Sequence, residues 1–143
     1  MADFKRPESV LVVVSTRQGE VLLLERTHPE GFWQSVTGSL EAGESPAEAA
    51  QRELAEETGI KDVEVVDCQQ RRCFPILPEW RSRYAPDVSE NCEHLFTVQL
   101  DQRCAIKLNN DEHCRYLWVD RAEAAGRVSS YTNRDAVLAI VSK

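Results

Sequence analysis

The apolar positions of this chain form short runs rather than one long segment. Residues 10–14 contain only valine and leucine, residues 21–24 are again apolar, and the turn-prone sequence Arg17-Gln-Gly-Glu20 lies between them. Two such runs joined by a glycine-containing turn predict a β-hairpin. Uninterrupted apolarity further indicates strands that are buried on both faces. A third short strand is predicted over 33–37, ending at Gly38.

The clearest helix signal follows this hairpin. Ser45 with Glu48 three residues later has the pattern of a capping box, and Pro46 occupies the favoured first helical position. Gly59 is typical of the residue that follows the last helical turn. We therefore predict a helix over 46–58.

The rest of the chain alternates strand and helix patterns. Strands are predicted over 63–68, 94–100 and 116–119, with a short helix capped by Asp120 and a last helix over 131–141. Prolines 75, 78 and 86 indicate a long irregular loop over 74–91. Loops of this length inside a compact domain are often functional. The sequence thus predicts one mixed α/β domain spanning 1–143.

Composition narrows the functional class. The 143 residues carry 17 Lys and Arg against 24 Asp and Glu, a formal charge of −7, which weighs against a sequence-independent nucleic-acid binder. The chain has no apolar run long enough for a membrane span, and the start at Met1 lacks the apolar core of a signal peptide. We therefore expect a cytoplasmic protein.

Cysteine and histidine spacing predicts no zinc site. The five cysteines are odd in number and none are paired as C-x-x-C, so they are interpreted as buried free thiols in a reducing cytoplasm rather than zinc ligands or a disulfide framework; they are Cys68, Cys73, Cys92, Cys104 and Cys114. The histidines are interpreted as incidental surface residues or secondary substrate contacts; they are His28, His94 and His113.

The acidity is concentrated in one segment. Residues 41–57 hold six glutamates against the single base Arg52. On a helical wheel Glu53, Glu56 and Glu57 share an arc of about 100°. Like charges at this spacing destabilise a helix mildly, and the helix dipole disfavours anions in its C-terminal half. A solvated acidic face is one interpretation; a hard divalent cation bound by these carboxylates is the other.

The flanking residues favour the cation. Gly38, Glu44 and the run Arg52-Glu53-Leu54-Ala55-Glu56-Glu57-Thr58-Gly59-Ile60 fit G-x5-E-x7-R-E-U-x-E-E-x-G-U, where U is aliphatic. Every specified position of this 38–60 pattern, the Nudix box, is matched, so the chain resembles the Nudix hydrolases. The resemblance implies the Nudix fold, a mixed β-sheet sandwiched between helices in an α/β/α arrangement. It also implies hydrolysis of a nucleoside diphosphate linked to another moiety, with Mg²⁺ or Mn²⁺ and an attacking water.

The resemblance assigns roles within the box. It implies metal and base functions shared among Glu53, Glu56 and Glu57, with the division between them open. Gly38 is expected to let the backbone turn sharply beside the metal and to place carbonyls near it. Arg52, within reach of Glu56 and Glu48, is expected to orient a catalytic glutamate, and Glu44 to tune the same group. A further metal ligand from outside the box is expected at Glu112, with Glu90 and Glu93 as rivals.

Segments outside the box bear on the substrate. Residues 5–7, 32–41, 81–88 and 130–134 resemble a branch of the family that converts dihydroneopterin triphosphate to the monophosphate and pyrophosphate in folate biosynthesis. A flat pterin needs an apolar slot with a few polar groups, and a triphosphate needs cations. Phe74, Ile76, Leu77, Trp33 and Tyr84 are candidates for the slot, although Trp33 and Phe74 equally suit core packing. Candidate phosphate ligands are Lys5, Arg26, Arg81 and Arg83; candidate hydroxyl donors are Thr37 and Ser130.

Other functions remain to be compared with this one. A house-cleaning pyrophosphatase acting on dATP, 8-oxo-dGTP or similar nucleotides would share the box and the metal. A catalytically inactive Nudix module for ligand sensing predicts eroded glutamates, and these are intact. The acidity and the absence of a basic stripe disfavour an RNA-processing role. The expected partner is a small-molecule triphosphate, with no nucleic acid and no membrane, and monomer and homodimer stay open.

Overall fold

The computed structural model describes residues 4–141. Residues 142–143 and 1–3, which include the Met1 start judged above for signal-peptide character, lie outside this range. The elements in chain order are β1 (Glu8–Thr16), β2 (Glu20–Arg26), β3 (Trp33–Gln34), β4 (Val36–Ser39), α1 (Pro46–Thr58), β5 (Val66–Pro75), a 3₁₀ helix (Pro78–Arg83), β6 (Glu90–Leu100), β7 (His113–Asp120), α2 (Arg121–Arg127) and α3 (Tyr131–Ile140).

The strands form one mixed sheet of seven strands in the order β3-β2-β1-β6-β5, with β4 paired to β1 and β7 paired to β2. Only β1 and β6 run parallel among the described pairs, in register from Glu8 with Cys92 to Thr16 with Leu100. Along its other edge β1 pairs first with β4 and then with β2. β2 and β4 therefore separate along this edge of β1, and residues of β4 line a cleft there.

Side chains of β1 alternate between two cores, one on each face of the sheet. Val10, Val12 and Val14 pack with Leu54 of α1, and Leu11 and Val13 pack with residues of α3 on the opposite face. The predicted hairpin, the burial of both strand faces and the helix–sheet–helix arrangement are confirmed. Within residues 4–141 no helix has the length and apolarity needed to cross a membrane.

Several predicted boundaries were wrong. The long loop expected over 74–91 is shorter, because β5 continues to Pro75, β6 begins at Glu90 and a 3₁₀ helix occupies Pro78–Arg83. Pro75 ends a strand at the edge of the sheet, where a missing N–H is tolerated. The strand expected over 33–37 is divided at Ser35, and the strand expected from residue 63 begins at Val66.

The interpretation of all five cysteines as buried free thiols was wrong for Cys73 and Cys92, which are paired, and wrong about burial for the free thiols of Cys104 and Cys114. Cys73 of β5 and Cys92 of β6 are directly opposite each other and form a disulfide, with their Cα atoms 4.0 Å apart. Cys68 is half-buried, while Cys104 and Cys114 are exposed. Spacing along the chain could not reveal the pair, because it depends on the register between two strands.

Candidate active site

Helix α1 begins and ends where its sequence signals predict, and this fixes the positions of its glutamates. The Ser45 hydroxyl accepts a hydrogen bond from the Glu48 N–H at 3.2 Å, and the Ser45 N–H donates to the Glu48 carboxylate at 2.9 Å. Gly59 closes the helix in the left-handed conformation, with φ of 76°. The predicted capping box and the predicted helix over 46–58 are confirmed.

Three carboxylates of α1 come together. Glu53, Glu56 and Glu57 each offer an oxygen, and these oxygens lie within 4.8 Å of one another. Glu53 and Glu57 are only 8% and 4% exposed, whereas Glu56 is exposed. Burial raises the pKa of Glu53 to about 7, against the opposing effect of Arg52, and Glu57 and Glu56 raise it further. Such a buried anionic group is costly unless a cation offsets its charge.

Gly38 makes room for this group. It lies in β4 opposite Val10 of β1, and a Cβ atom at this position would overlap the carboxyl group of Glu53. Gly38 is not among the glycines with positive φ, so the sharp backbone turn expected here is absent. A glycine is needed here for close approach, because only a residue without a side chain lets the Glu53 carboxyl group pack against the strand.

Arg52 holds the acidic residues in place. Its guanidinium donates to both oxygens of Glu44 at 2.7 and 2.9 Å, to Glu53 at 2.6 Å and to Glu56 at 3.3 Å. It also donates to the carbonyl of Ser39 at 3.0 Å. Arg52 lowers the pKa of Glu44 to about 2. The contact expected with Glu48 is absent, because that side chain closes the capping box.

His113 touches the acidic group from β7. It is 1% exposed, and its Nδ1 lies 2.5 Å from Oε2 of Glu57. Its Nε2 lies 2.9 Å from the amide nitrogen of Gln34, which can only donate, so we assign the ring proton to Nδ1, facing Glu57. That N–H is not aligned with the carboxylate, and neither atom has a hydrogen-bond partner.

The location of His113 corrects the interpretation of the histidines as surface residues. His28 is exposed as expected, and His94 is half-buried, with its Nε2 3.1 Å from Glu8. His113 was missed because nothing in its local sequence marks it as buried. Its position follows from the pairing of β7 with β2, which no motif encodes.

The acidic group fits a hard divalent cation. Oε2 of Glu57 is buried and has no hydrogen-bond partner, and three carboxylates supply the oxygen ligands that such ions prefer. Glu112 and Glu93 line the same cleft but are not part of this three-residue group, and Glu90 does not line the cleft. Within residues 4–141, Glu53, Glu56 and Glu57 are the group of acidic side chains placed closely enough to hold a metal ion.

A cleft of about 850 Å³ extends from α1 to the start of α3. The predicted substrate residues that line it are Lys5, Arg26, Thr37, Phe74, Ile76, Leu77, Arg83, Tyr84 and Ser130. Thr37 does not offer its proton to the cleft, because its hydroxyl donates to the Val10 carbonyl at 2.8 Å. The expectation that Thr37 donates to a substrate is therefore not met in this structure.

Two predicted substrate residues lie elsewhere. Arg81 is exposed outside the cleft, and its guanidinium contacts the Val88 carbonyl at 3.5 Å. A 3₁₀ helix has about three residues per turn, so side chains two positions apart, such as Arg81 and Arg83, point in different directions. Trp33 belongs to the core on the α3 face and is 7% exposed; its neighbour Phe32 lines the cleft instead.

Three cations line the cleft, and two of them lie over a tryptophan, Trp80, that the sequence did not single out. The guanidinium groups of Arg26 and Arg83 lie 4.7 and 5.0 Å from the ring centroid of Trp80, and Phe32 packs edge-on against the same ring at 6.1 Å. Burial lowers the pKa of Lys5 and of Arg26, and repulsion from Arg83 lowers both further. Repulsion among neighbouring cations favours binding of an anion between them.

Comparison with known proteins agrees with this geometry. Residues 5–138 match the NUDIX domain, and the chain belongs to the Nudix family of hydrolases. It is 40% identical over 139 residues to the dihydroneopterin triphosphate diphosphatase of Escherichia coli K12, covering 94% of this chain and 91% of that protein. The corresponding protein of Haemophilus influenzae is 35% identical over 142 residues, covering 96% and 89%.

A solved structure shows the same fold. The dihydroneopterin triphosphate pyrophosphohydrolase of E. coli superimposes with a TM-score of 0.92 at 40% identity, covering 96% of this chain and 97% of that one. The expected Nudix fold, with its mixed sheet and packed helices, is confirmed.

Proposed function

We propose that this protein hydrolyses dihydroneopterin triphosphate to dihydroneopterin monophosphate and pyrophosphate, in the cytoplasm and as a step of folate biosynthesis. One observation carries the proposal: a single cleft contains a carboxylate group, a cluster of cations and a partly apolar slot. These three parts suit a divalent metal, a triphosphate and a flat heterocycle. Relatives at 35–40% identity bear the name of this activity.

Glu53, Glu56 and Glu57 would hold the metal, and Mg²⁺ is the ion that we propose, with Mn²⁺ as an alternative. When bound, it supplies positive charge to the phosphate oxygens and promotes ionisation of water. Gly38 contributes by leaving space for Glu53. Glu112, in the turn before β7, would add a further oxygen ligand from across the cleft.

The other box residues would position the catalytic groups and transfer a proton. Glu56 is the exposed member of the group and is open to water in the cleft, so we assign it the role of general base that takes a proton from the attacking water. The water oxygen then forms a bond to phosphorus, and the bond between the monophosphate and pyrophosphate parts breaks. Arg52 orients Glu53 and Glu56, and Glu44 fixes Arg52 through two hydrogen bonds.

The cations Lys5, Arg26 and Arg83 would bind the triphosphate. Trp80 restricts the two guanidinium groups by stacking, which reduces the freedom that they lose on binding. Phe74, Ile76, Leu77 and Tyr84 would form the walls of the heterocycle slot, and Ser130 lies at its α3 end.

The test is a comparison of kcat/KM for dihydroneopterin triphosphate with kcat/KM for dATP, dGTP and 8-oxo-dGTP at saturating Mg²⁺. We expect the pterin substrate to be preferred and pyrophosphate to be released. A marked preference for any nucleotide would contradict the pterin assignment and favour a nucleotide pyrophosphatase. Absence of turnover on every substrate would instead favour an inactive ligand-binding module.

A further inference from the structure

Glu93 lines the cleft two residues along β6 from Asn91, which pairs with the slot residue Phe74 of β5. It belongs to β6 and is opposite Ser9 of β1, and it lines the cleft together with Leu11 of β1 and Thr132 of α3. Leu11 packs in the core on the α3 face of the sheet, whereas α1 packs on the other face. The strand register therefore gives Glu93 different neighbours from the box glutamates.

The surroundings of Glu93 leave its charge largely uncompensated. Burial raises the pKa of Glu93 to about 7; the Thr132 hydroxyl and Arg72 oppose this rise, and the α1 glutamates do not contribute. Arg72 is already paired with Asp135 at 3.0 Å. Among the ion pairs within residues 4–141, none includes Glu93.

The neighbouring polar side chains already form hydrogen bonds within the protein. The Asn133 amide bonds to the backbone N–H of Ser35 at 2.7 Å and to its hydroxyl at 2.9 Å, and the Asn91 amide nitrogen donates to Ser9 at 2.8 Å. The carbonyl oxygen of Asn91, in contrast, is buried without a hydrogen-bond partner. The groups left over in this part of the cleft are thus acceptors, the Glu93 carboxylate above all.

We propose that Glu93 is the specificity-determining residue for the heterocycle, binding a ring N–H and an adjacent exocyclic amine through its two oxygens. A carboxylate accepts two parallel N–H bonds in this way from planar donor pairs. A pterin has this donor pair, as does guanine, whereas adenine has an acceptor at the corresponding ring nitrogen. This inference rests on the proposed function and deepens it, since it names the group that selects the substrate.

The test compares the wild-type protein with E93Q and with E90Q, a matched change on the same strand outside the cleft. For each protein kcat/KM is measured on dihydroneopterin triphosphate, dGTP and dATP, and binding of dihydroneopterin without phosphates is followed by fluorescence in metal-free buffer. Loss of hydrogen bonds to a charged acceptor predicts a decrease of about 10- to 100-fold for E93Q on the pterin and on dGTP, mainly through KM. We expect less than about a threefold change on dATP, and no change for E90Q.

Several outcomes would overturn the assignment. Equal losses on all three substrates would mean that Glu93 supports the fold, which the thermal midpoint of E93Q would register independently. Unchanged binding of dihydroneopterin would mean that Glu93 does not contact the ring. If the wild-type protein prefers dATP, the proposed substrate is wrong. The role of Glu93 is then still tested separately, by whether E93Q lowers activity on dGTP more than on dATP.

Discussion

Gly38 and Glu53 occupy one shared space: the carboxyl group of Glu53 fills the volume that a side chain at position 38 would need. The backbone of Gly38 has no left-handed strain, so alanine fits its conformation and conflicts only with Glu53. A box glycine and a box glutamate fifteen positions apart thus act as a unit, one making room for the other.

The first prediction follows from this contact. Gly38→Ala should displace Glu53 while leaving the fold intact, and a displacement of about 1 Å at a catalytic group can cost about 10² in rate. We expect kcat/KM to fall by that order at saturating Mg²⁺. Gly126→Ala is the matched control, because a Cβ there meets no atom within 4 Å. Full activity of Gly38→Ala would show that Glu53 does not need its present position.

The second prediction concerns Arg52 and Glu44, which are joined by two hydrogen bonds. A lysine cannot reproduce the guanidinium fork, so Arg52→Lys should release Glu53 and lower kcat. Glu44→Gln should act through Arg52, and a double-mutant cycle should give a coupling energy of about 0.5–3 kcal/mol. Additive effects would refute this positioning role. Arg17→Lys, in an exposed pair with Asp101, is the control.

The third prediction concerns His113. Both replacements keep an amide donor, but the amide of His113→Asn takes the place of Nδ1 and can face Glu57, whereas the longer side chain of His113→Gln puts its amide at the place of Nε2. Partners of metal-binding residues typically contribute about 10- to 100-fold to metal affinity, so we expect His113→Gln to weaken Mn²⁺ binding by that order and His113→Asn to weaken it less. Calorimetric titration measures both, with His94→Gln as the control. Equal Mn²⁺ affinities in all variants would show that His113 does not contribute to metal binding.

The fourth prediction contrasts two arginines of the 3₁₀ helix. Arg83 lines the cleft beside Lys5 and Arg26, whereas Arg81 does not. Arg83→Ala should raise KM by about 10-fold or more, as expected for loss of a charged hydrogen bond to phosphate. Arg81→Ala should leave KM and kcat near the wild-type values. The reverse result would mean that the helix turns its other face to the substrate.

The fifth prediction is a pH dependence of stability. The folded pKa of Glu93, about 7, lies above its ordinary value of 4.5, so the folded state binds this proton more tightly than the unfolded state. The stability contribution is fully present below pH 4.5 and is lost as pH rises through 7. Burial also raises the folded pKa of Glu53 to about 7, so its contribution to stability is likewise lost as pH rises through 7.

In metal-free buffer the thermal midpoint should therefore decrease between pH 5 and pH 8 in the wild-type protein and less steeply in Glu93→Gln. The charged groups nearest Glu93 include Arg72 and Asp135, so Asp135→Asn tests whether their pair contributes to the slope. Parallel curves for the wild-type protein and Glu93→Gln would refute the assigned cause.

The sequence predicted those parts of the site that depend on local structure. The capping box, the helix bounds and the arc of three glutamates follow from residues a few positions apart, and each was confirmed. His113, Trp80 and the Cys73–Cys92 pair depend on contacts between distant segments, which no local pattern specifies. Arg81 was wrongly placed for a related reason, because the proline-rich segment gave no indication of a 3₁₀ helix and hence of which arginine faces inward.

The parallel pairing of β1 with β6 also has a consequence for synthesis of the chain. Residues 8–16 leave the ribosome before residues 92–100, which are their partners along one whole edge. Contacts so far apart in sequence form slowly, and domains acquire structure as their segments emerge. The glutamates of α1 are therefore made well before the strand that carries Glu93. A nascent chain can cap its helix early, yet it has no complete cleft until Ser130 and Thr132, which line its α3 end, have also been translated.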